Sequence, residues 1–177
     1  MATYAELAEL FSPDGIVRMP LDEALASGIP EEDARLLAEV GVPLFVDVLF
    51  TVKVNGDPLA YTLVPISAAE DDGVTVLALG GPTDAEQLRY CLDLDNGYVI
   101  LLGLGEEPTA EIVNQSLDAF VEFLYRYALR LKHVAGVSDQ QSDEYTAKLR
   151  GYLAARDPYA FAAPDSWWNM VFGALAE

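Results

Sequence analysis

Between Val113 and Val134 the chain reads VNQSLDAFVEFLYRYALRLKHV, and the reading of this stretch decides what the core is built around. Leu117, Phe120, Val121, Leu124, Ala128 and Leu131 recur at spacings of three and four, which puts them on one stripe of an α-helix. Ahead of the stripe, the side chain of Ser116 or Asn114 can accept a hydrogen bond from an N–H left without a partner in the first helical turn. Asp118 suits the positive end of the helix dipole. Arg130, Lys132 and His133 suit the negative end, and Gly136 supplies the stop.

Working back from this helix, LRYCLDL (88–94), the tight turn Asp95-Asn96-Gly97 and YVILLGL (98–104) form the clearest hairpin in the chain. Asn-Gly takes the positive φ angles that short hairpin turns need. Before it, VTVLAL (74–79) reads as an apolar strand closed by Gly80-Gly81-Pro82, with Asp71-Asp72-Gly73 as the turn in front of it. LFVDVLFTVKV (44–54) is rich in β-branched and aromatic residues. Phe45, Asp47, Leu49, Thr51 and Lys53 fall on alternate positions, which predicts one strand running to the Asn55-Gly56-Asp57-Pro58 turn, with LAYTLVPI (59–66) returning beside it. Further back, Tyr4 to Phe11 predicts a short helix ended by Ser12-Pro13-Asp14-Gly15, and Leu21 to Ala26 another helical turn. Pro30 followed by Glu31, Glu32 and Asp33 predicts a helix start, with Leu36, Leu37 and Val40 on its apolar face and Gly41 at its end. After the long helix, the spacing predicts a helix near Asp143 to Ala155 and a last one in SWWNMVFGALAE (166–177), with Ser166 as its cap. Helices that flank a block of mostly antiparallel strands make an α+β fold. No repeat, low-complexity tract or linker divides it, so the expectation is a single domain over residues 1–177.

The 177 residues are 52% hydrophobic, enough to fill one core, and 29 acids against 10 bases give a formal charge of −19. That charge disfavours nucleic-acid backbones and anionic lipid surfaces, and favours encounter with a basic protein. One cysteine forbids an intrachain disulfide. The start MATYAELAEL lacks the basic and apolar regions of a signal peptide, and the apolar runs are shorter than a membrane span, so a soluble cytoplasmic protein is expected.

The search for chemistry finds no constellation. His133 stands at a helix end and Cys91 lies mid-strand among apolar neighbours, where a buried, inert thiol is expected. One Cys and one His cannot make the usual structural zinc sets, and no metal or cofactor is expected. DLDNG at Asp93 fails as a calcium loop, because glycine stands fifth rather than sixth and the twelfth residue is Leu104. GLGEEP at Gly103 has no lysine and opens no helix, so it is not a phosphate loop. The pairs Asp71/Asp72, Asp93/Asp95 and Glu106/Glu107 leave open a hydrolase with paired carboxylates, which would require a concave pocket and an acid of raised pKa. Of Trp167 and Trp168, docking of one ring into the core is expected, an interface anchor being the alternative.

In order along the chain, LLAEVGVP (36–43), VLALGG with LRYCLDLDNGYVILL, VNQSLDAFVEFLYRY and DPYAFAAPDSWWNMVFGAL (157–175) resemble the SUKH superfamily of bacterial immunity proteins, its fourth branch most closely. Two departures stand out: Gln115 replaces a small residue, and Val42 a leucine. The 44–54 segment and the acidic AAEDDG loop have no counterpart in the resemblance. What it implies is a non-enzymatic inhibitor that binds a toxin domain, often a nuclease or nucleic-acid deaminase. An acidic surface suits the basic cleft of such a toxin. The exposed turns and the charge single out Asp93, Asp95, Glu106 and Glu107 as toxin-binding candidates, with Asp71 and Asp72 next. A general interaction or regulatory module of the same fold is the alternative.

Overall fold

A strand turns alternate side chains to opposite faces, so a sheet gains a core only where helices lay apolar stripes against one of those rows. The computed structural model describes residues 1–54, 57–58, 60–66 and 74–175 of this chain. Helix α1 (Tyr4–Phe11) starts at a capping box: Thr3 Oγ1 accepts from Glu6 N, and the Glu6 carboxylate accepts from Thr3 N at 2.8 Å. Strand β1 (Ile16–Val17) follows, then α2 (Leu21–Ala26) and α3 (Glu31–Glu39), the last with Glu31, Glu32 and Asp33 in its first turn. Gly41 then takes φ +80°, and a Cβ there would stand 2.4 Å from the Val17 carbonyl oxygen. Only glycine lets β2 (Val42–Pro43) pair so closely with β1.

The segment expected to be one strand over 44–54 is broken. β3 (Phe45–Val46) and β4 (Phe50–Thr51) form a small hairpin of their own with Val46 opposite Phe50, and Asp47 in its turn has φ +45°. A straight strand would place Val46, Phe50 and Val52 on one face and Leu49 on the other. The reversal buries all four. β5 (Lys53–Val54) pairs with β6 (Asp57–Pro58). The returning strand, β7 (Thr62–Ile66), does not lie beside residues 44–54; it pairs with β8 (Val74–Gly80), Val64 opposite Val76. Pro65, which has no N–H to give, is tolerated because β7 is an edge strand.

β9 (Leu88–Asp93) and β10 (Val99–Gly103) form the expected hairpin, with Tyr90 opposite Leu101. β11 (Thr109–Asn114), absent from the expectation, completes a five-stranded antiparallel sheet in the order β11-β10-β9-β8-β7. α4 (Leu117–Val134) lies on one face of it, and Phe120 meets Phe50 and Tyr90 at ring-centroid distances of 5.9 and 5.0 Å. Ser116 is the cap of α4, accepting from Ala119 N. α5 (Asp139–Arg156) begins four residues earlier than expected, at a Ser138–Gln141 capping box. A 3-10 turn over Pro158–Phe161 leads to α6 (Trp167–Ala174), where Ser166 does not cap through its side chain but donates to the Ala160 carbonyl at 2.9 Å. Trp168 is fully buried and Trp167 half-buried, as the docking reading expects. On the other face of the sheet Val76, Ala78, Cys91 and Leu102 form a smaller apolar cluster. The architecture is α+β.

Candidate functional site

The antiparallel sheet sends its turns to two ends, and the acids singled out by sequence divide between them. At one end the Asp93 carboxylate accepts from Asp95 N (2.9 Å), Asn96 N (3.3 Å) and Asn96 Nδ2 (2.9 Å). It is thereby committed to holding the turn that leaves Asp95 exposed. Facing this turn, the first turn of α3 and the start of α4 enclose a cleft of about 400 Å³, lined among others by Glu32, Asp33, Asn96, Gln115 and Asp118. Burial pushes the Asp33 carboxyl up to about 6, and the neighbouring charges of Glu32 and Asp118 push the same way. Asp118 is held by Arg156 and by the Ser116 hydroxyl. The cleft therefore supplies the concave site and raised acid that a carboxylate hydrolase needs. Of the other carboxylates lining it, Asp118 is tied into an ion pair, and Glu32 and Glu39 are exposed on α3.

Glu106 and Glu107 lie at the opposite end, exposed in the turn after β10. The five residues of β10 set them roughly 17 Å from the Asp95 turn. The structure does not bring the two pairs into one cluster. Asp71 and Asp72 lie outside the described residues. Around Glu106 three loops are laced together. Thr83 N donates to the Val48 carbonyl (3.1 Å), the Thr83 hydroxyl to that of Asp47 (2.7 Å), and Leu104 N to that of Gln87 (2.8 Å). Thr51 and Gly81 exchange backbone hydrogen bonds at 2.8 and 2.9 Å. Gly80 makes this approach feasible, since a Cβ there would fall 2.4 Å from the Thr51 carbonyl oxygen. Phe45, Val48 and Leu104 stay about half exposed on these loops, at 51%, 54% and 53%.

For nucleophilic chemistry the described residues offer little. His133 is exposed and stacks on Tyr145 at 4.2 Å, and burial pushes the Cys91 thiol up to about 12, out of reach of thiolate chemistry. No hydrogen bond joins either one to the other.

A third group of polar side chains is buried. Asn114, which the sequence allowed as a helix cap, instead donates through Nδ2 to Asp157 Oδ2 (3.0 Å) and accepts from Trp168 Nε1 (3.0 Å). Gln115 N also donates to Asp157 Oδ2, at 2.8 Å. This knot ties β11, the start of α4, the end of α5 and α6 together at the residues whose order carried the family resemblance. A profile of the SUKH-4 immunity protein family matches residues 2–174. The chain belongs to that family. Neither curated proteins nor solved structures gave a match. In this SUKH-4 chain the departure at Gln115 has a simple reading: the side chain is exposed and the backbone N–H makes the buried contact. Val42 in the leucine position is fully buried. Most of the family marks thus build the SUKH-4 core; the Asp95 turn lies within them and the Glu106 turn does not.

Sequence reasoning left out Asp33 and the apolar trio Phe45, Val48 and Leu104. The positive φ of Asp47 was the hidden cause for two of these. Read as a strand, 44–54 gives Phe45 and Val48 no reason to be exposed.

Proposed function

We propose that this SUKH-4 immunity protein neutralises a bacterial toxin domain by binding it, without catalysis, and that the toxin presents a basic, nucleic-acid-handling surface. The observation that carries the reading is the family match over residues 2–174. The charge supports it: at −19 the chain repels nucleic acid and attracts the cationic cleft of a nuclease or nucleic-acid deaminase. Asp95, Glu106 and Glu107 are exposed and available for that contact, while Asp93 acts indirectly by shaping the Asp95 turn. Asp71 and Asp72 belong to the same proposal as further acids. Among the described residues no helix is long and apolar enough to cross a membrane, and action in the cytoplasm of the producing cell fits an inhibitor that must meet an incoming toxin.

The test is calorimetry of the full chain with the toxin-like domain encoded beside its gene, at low and high salt. The expected result is tight binding that weakens with salt, because surface charges are screened over about 10 Å at 0.1 M. A stable complex with a protein that is not a toxin, and none with the toxin-like domain, would replace this reading with that of a general interaction module.

A further inference from the structure

We propose that the toxin docks on the end of the sheet where the 45–51, 81–87 and 104–108 loops meet, with Phe45, Val48 and Leu104 as apolar anchors inside an acidic rim. The proposal rests on the inhibitor reading and says which surface carries it.

Three observations converge there. The first is apolar. Phe45, Val48 and Leu104 are each about half exposed, and they sit on loops joined to one another through Thr83 and Gln87. Large exposed side chains on fixed backbone are what an interface uses as anchors, because they fill a partner's pocket without a further ordering cost. The second is rigidity. The Thr51–Gly81 pair, the two Thr83 bonds to Asp47 and Val48, and the Leu104–Gln87 bond hold the three loops in register before any partner arrives. Asp47 is kept at φ +45° by this lacing. A non-glycine residue in that region persists where its surroundings over-determine it.

The third is charge. Asp47, Asp84, Glu86, Glu106 and Glu107 are all exposed on these loops, and among the described residues none of them enters an ion pair. The nearby cations are Lys53 and Arg89, and Arg89 is turned inward to the carbonyls of Glu86 and Leu88. At the opposite end Asp118 is paired with Arg156, Glu31 with Arg35, and Asp93 is spent on its own turn, while Asp95, Glu32 and Glu39 are exposed and enter no ion pair among the described residues. The loop end is set apart by the apolar trio that its acids surround. A surface whose carboxylates lack internal cations, and which surrounds apolar anchors, is complementary to a basic domain with an apolar pocket. Charge then governs the encounter and the anchors govern residence.

Binding kinetics of the same toxin-like domain to the full chain tests this. Phe45→Ala and Leu104→Ala should each speed dissociation by at least about tenfold with association little changed. The double reversal Glu106→Lys/Glu107→Lys should slow association by about tenfold at low salt, and much less at high salt. Glu31→Gln, on the first turn of α3 at the far end, should leave the affinity within about threefold. Because the altered side chains are exposed, circular dichroism should show each variant folded. Wild-type binding that is untouched by the loop variants but weakened by Asp95→Asn would overturn the proposal and leave the inhibitor reading standing. No binding by the wild type would overturn both.

Discussion

Replacing Asp157 with alanine is the sharpest test of the account of the core. Asp157 is 2% exposed, and its Oδ2 accepts from Asn114 Nδ2 at 3.0 Å and from Gln115 N at 2.8 Å. Hydrogen bonds to a charged acceptor contribute about 1.5–3 kcal/mol each, and here their loss strands two donors at a site sealed by Trp168. Against this, Oδ1 is buried without a partner, so removing the carboxylate also relieves its desolvation. The balance is a loss of about 3 kcal/mol. In a chain of this size each kcal/mol moves the midpoint by about 2–4 °C, so Asp157→Ala should melt about 6–12 °C lower. Urea unfolding should give the same loss with an unchanged slope. Asn114→Ala loses its bonds to both Asp157 and Trp168, and the double variant should show a coupling of about 1–2 kcal/mol. A midpoint shift under about 2 °C, or strict additivity, would refute the claim that this knot fastens the last two helices to the sheet.

Other expectations follow from the same physics. Glu122 is fully buried; desolvation raises its pKa, but hydrogen bonds from Arg126 and Tyr152 outweigh this and hold it below the ordinary 4.5. Its contribution is therefore complete above that value and lost as pH falls through the depressed one, so Glu122→Gln should lower stability at pH 7 and flatten the acid limb of an unfolding-versus-pH curve. Asp33 runs the other way. With a folded pKa of about 6 against an ordinary 3.8, its penalty is present above pH 6 and disappears on acidification toward 3.8. The site is partly open to solvent, so Asp33→Asn should add no more than about 1 kcal/mol at pH 7, and carboxyl NMR titration should find the raised midpoint directly. Gly80→Ala forces a methyl into the Thr51 carbonyl and should cost about 2–3 kcal/mol in urea unfolding. Cys91 should resist a thiol reagent at pH 8 in the native protein and react once urea has unfolded it, since the folded thiol is pushed up to about 12.

What could be read from the sequence was what local chemistry writes there. Proline with three acids announced α3, the 3–4 spacing announced α4, and Asn96-Gly97 announced the β9–β10 hairpin. The misreadings came where partners decide. The 44–54 segment has strand composition, yet a ladder forms only against a neighbour, and burying Leu49 beside Val46 and Phe50 required a turn at Asp47. β11 went unseen because Thr109 and Ala110 leave its start exposed on an edge, and its pairing with β10 is fixed by the hairpin already formed. The start of α5 did have a sequence signal, Ser138 with Gln141 three residues on, masked by acids that suit a later start equally well. Of the candidate site, the exposure of Asp95, Glu106 and Glu107 was legible from turn chemistry. Their placement at opposite ends of β10, and the apolar anchors beside only one pair, depend on how loops far apart in sequence are laced together.

The central claim is that this chain silences a toxin by occupying it, and the measurement closest to that claim is a titration of toxin activity. The activity of the toxin-like domain encoded beside the gene should fall in proportion to added wild-type protein and vanish at a fixed molar ratio. Phe45→Ala/Leu104→Ala should require a large excess to reach the same inhibition. Full toxin activity in the presence of excess folded wild-type protein would contradict the account.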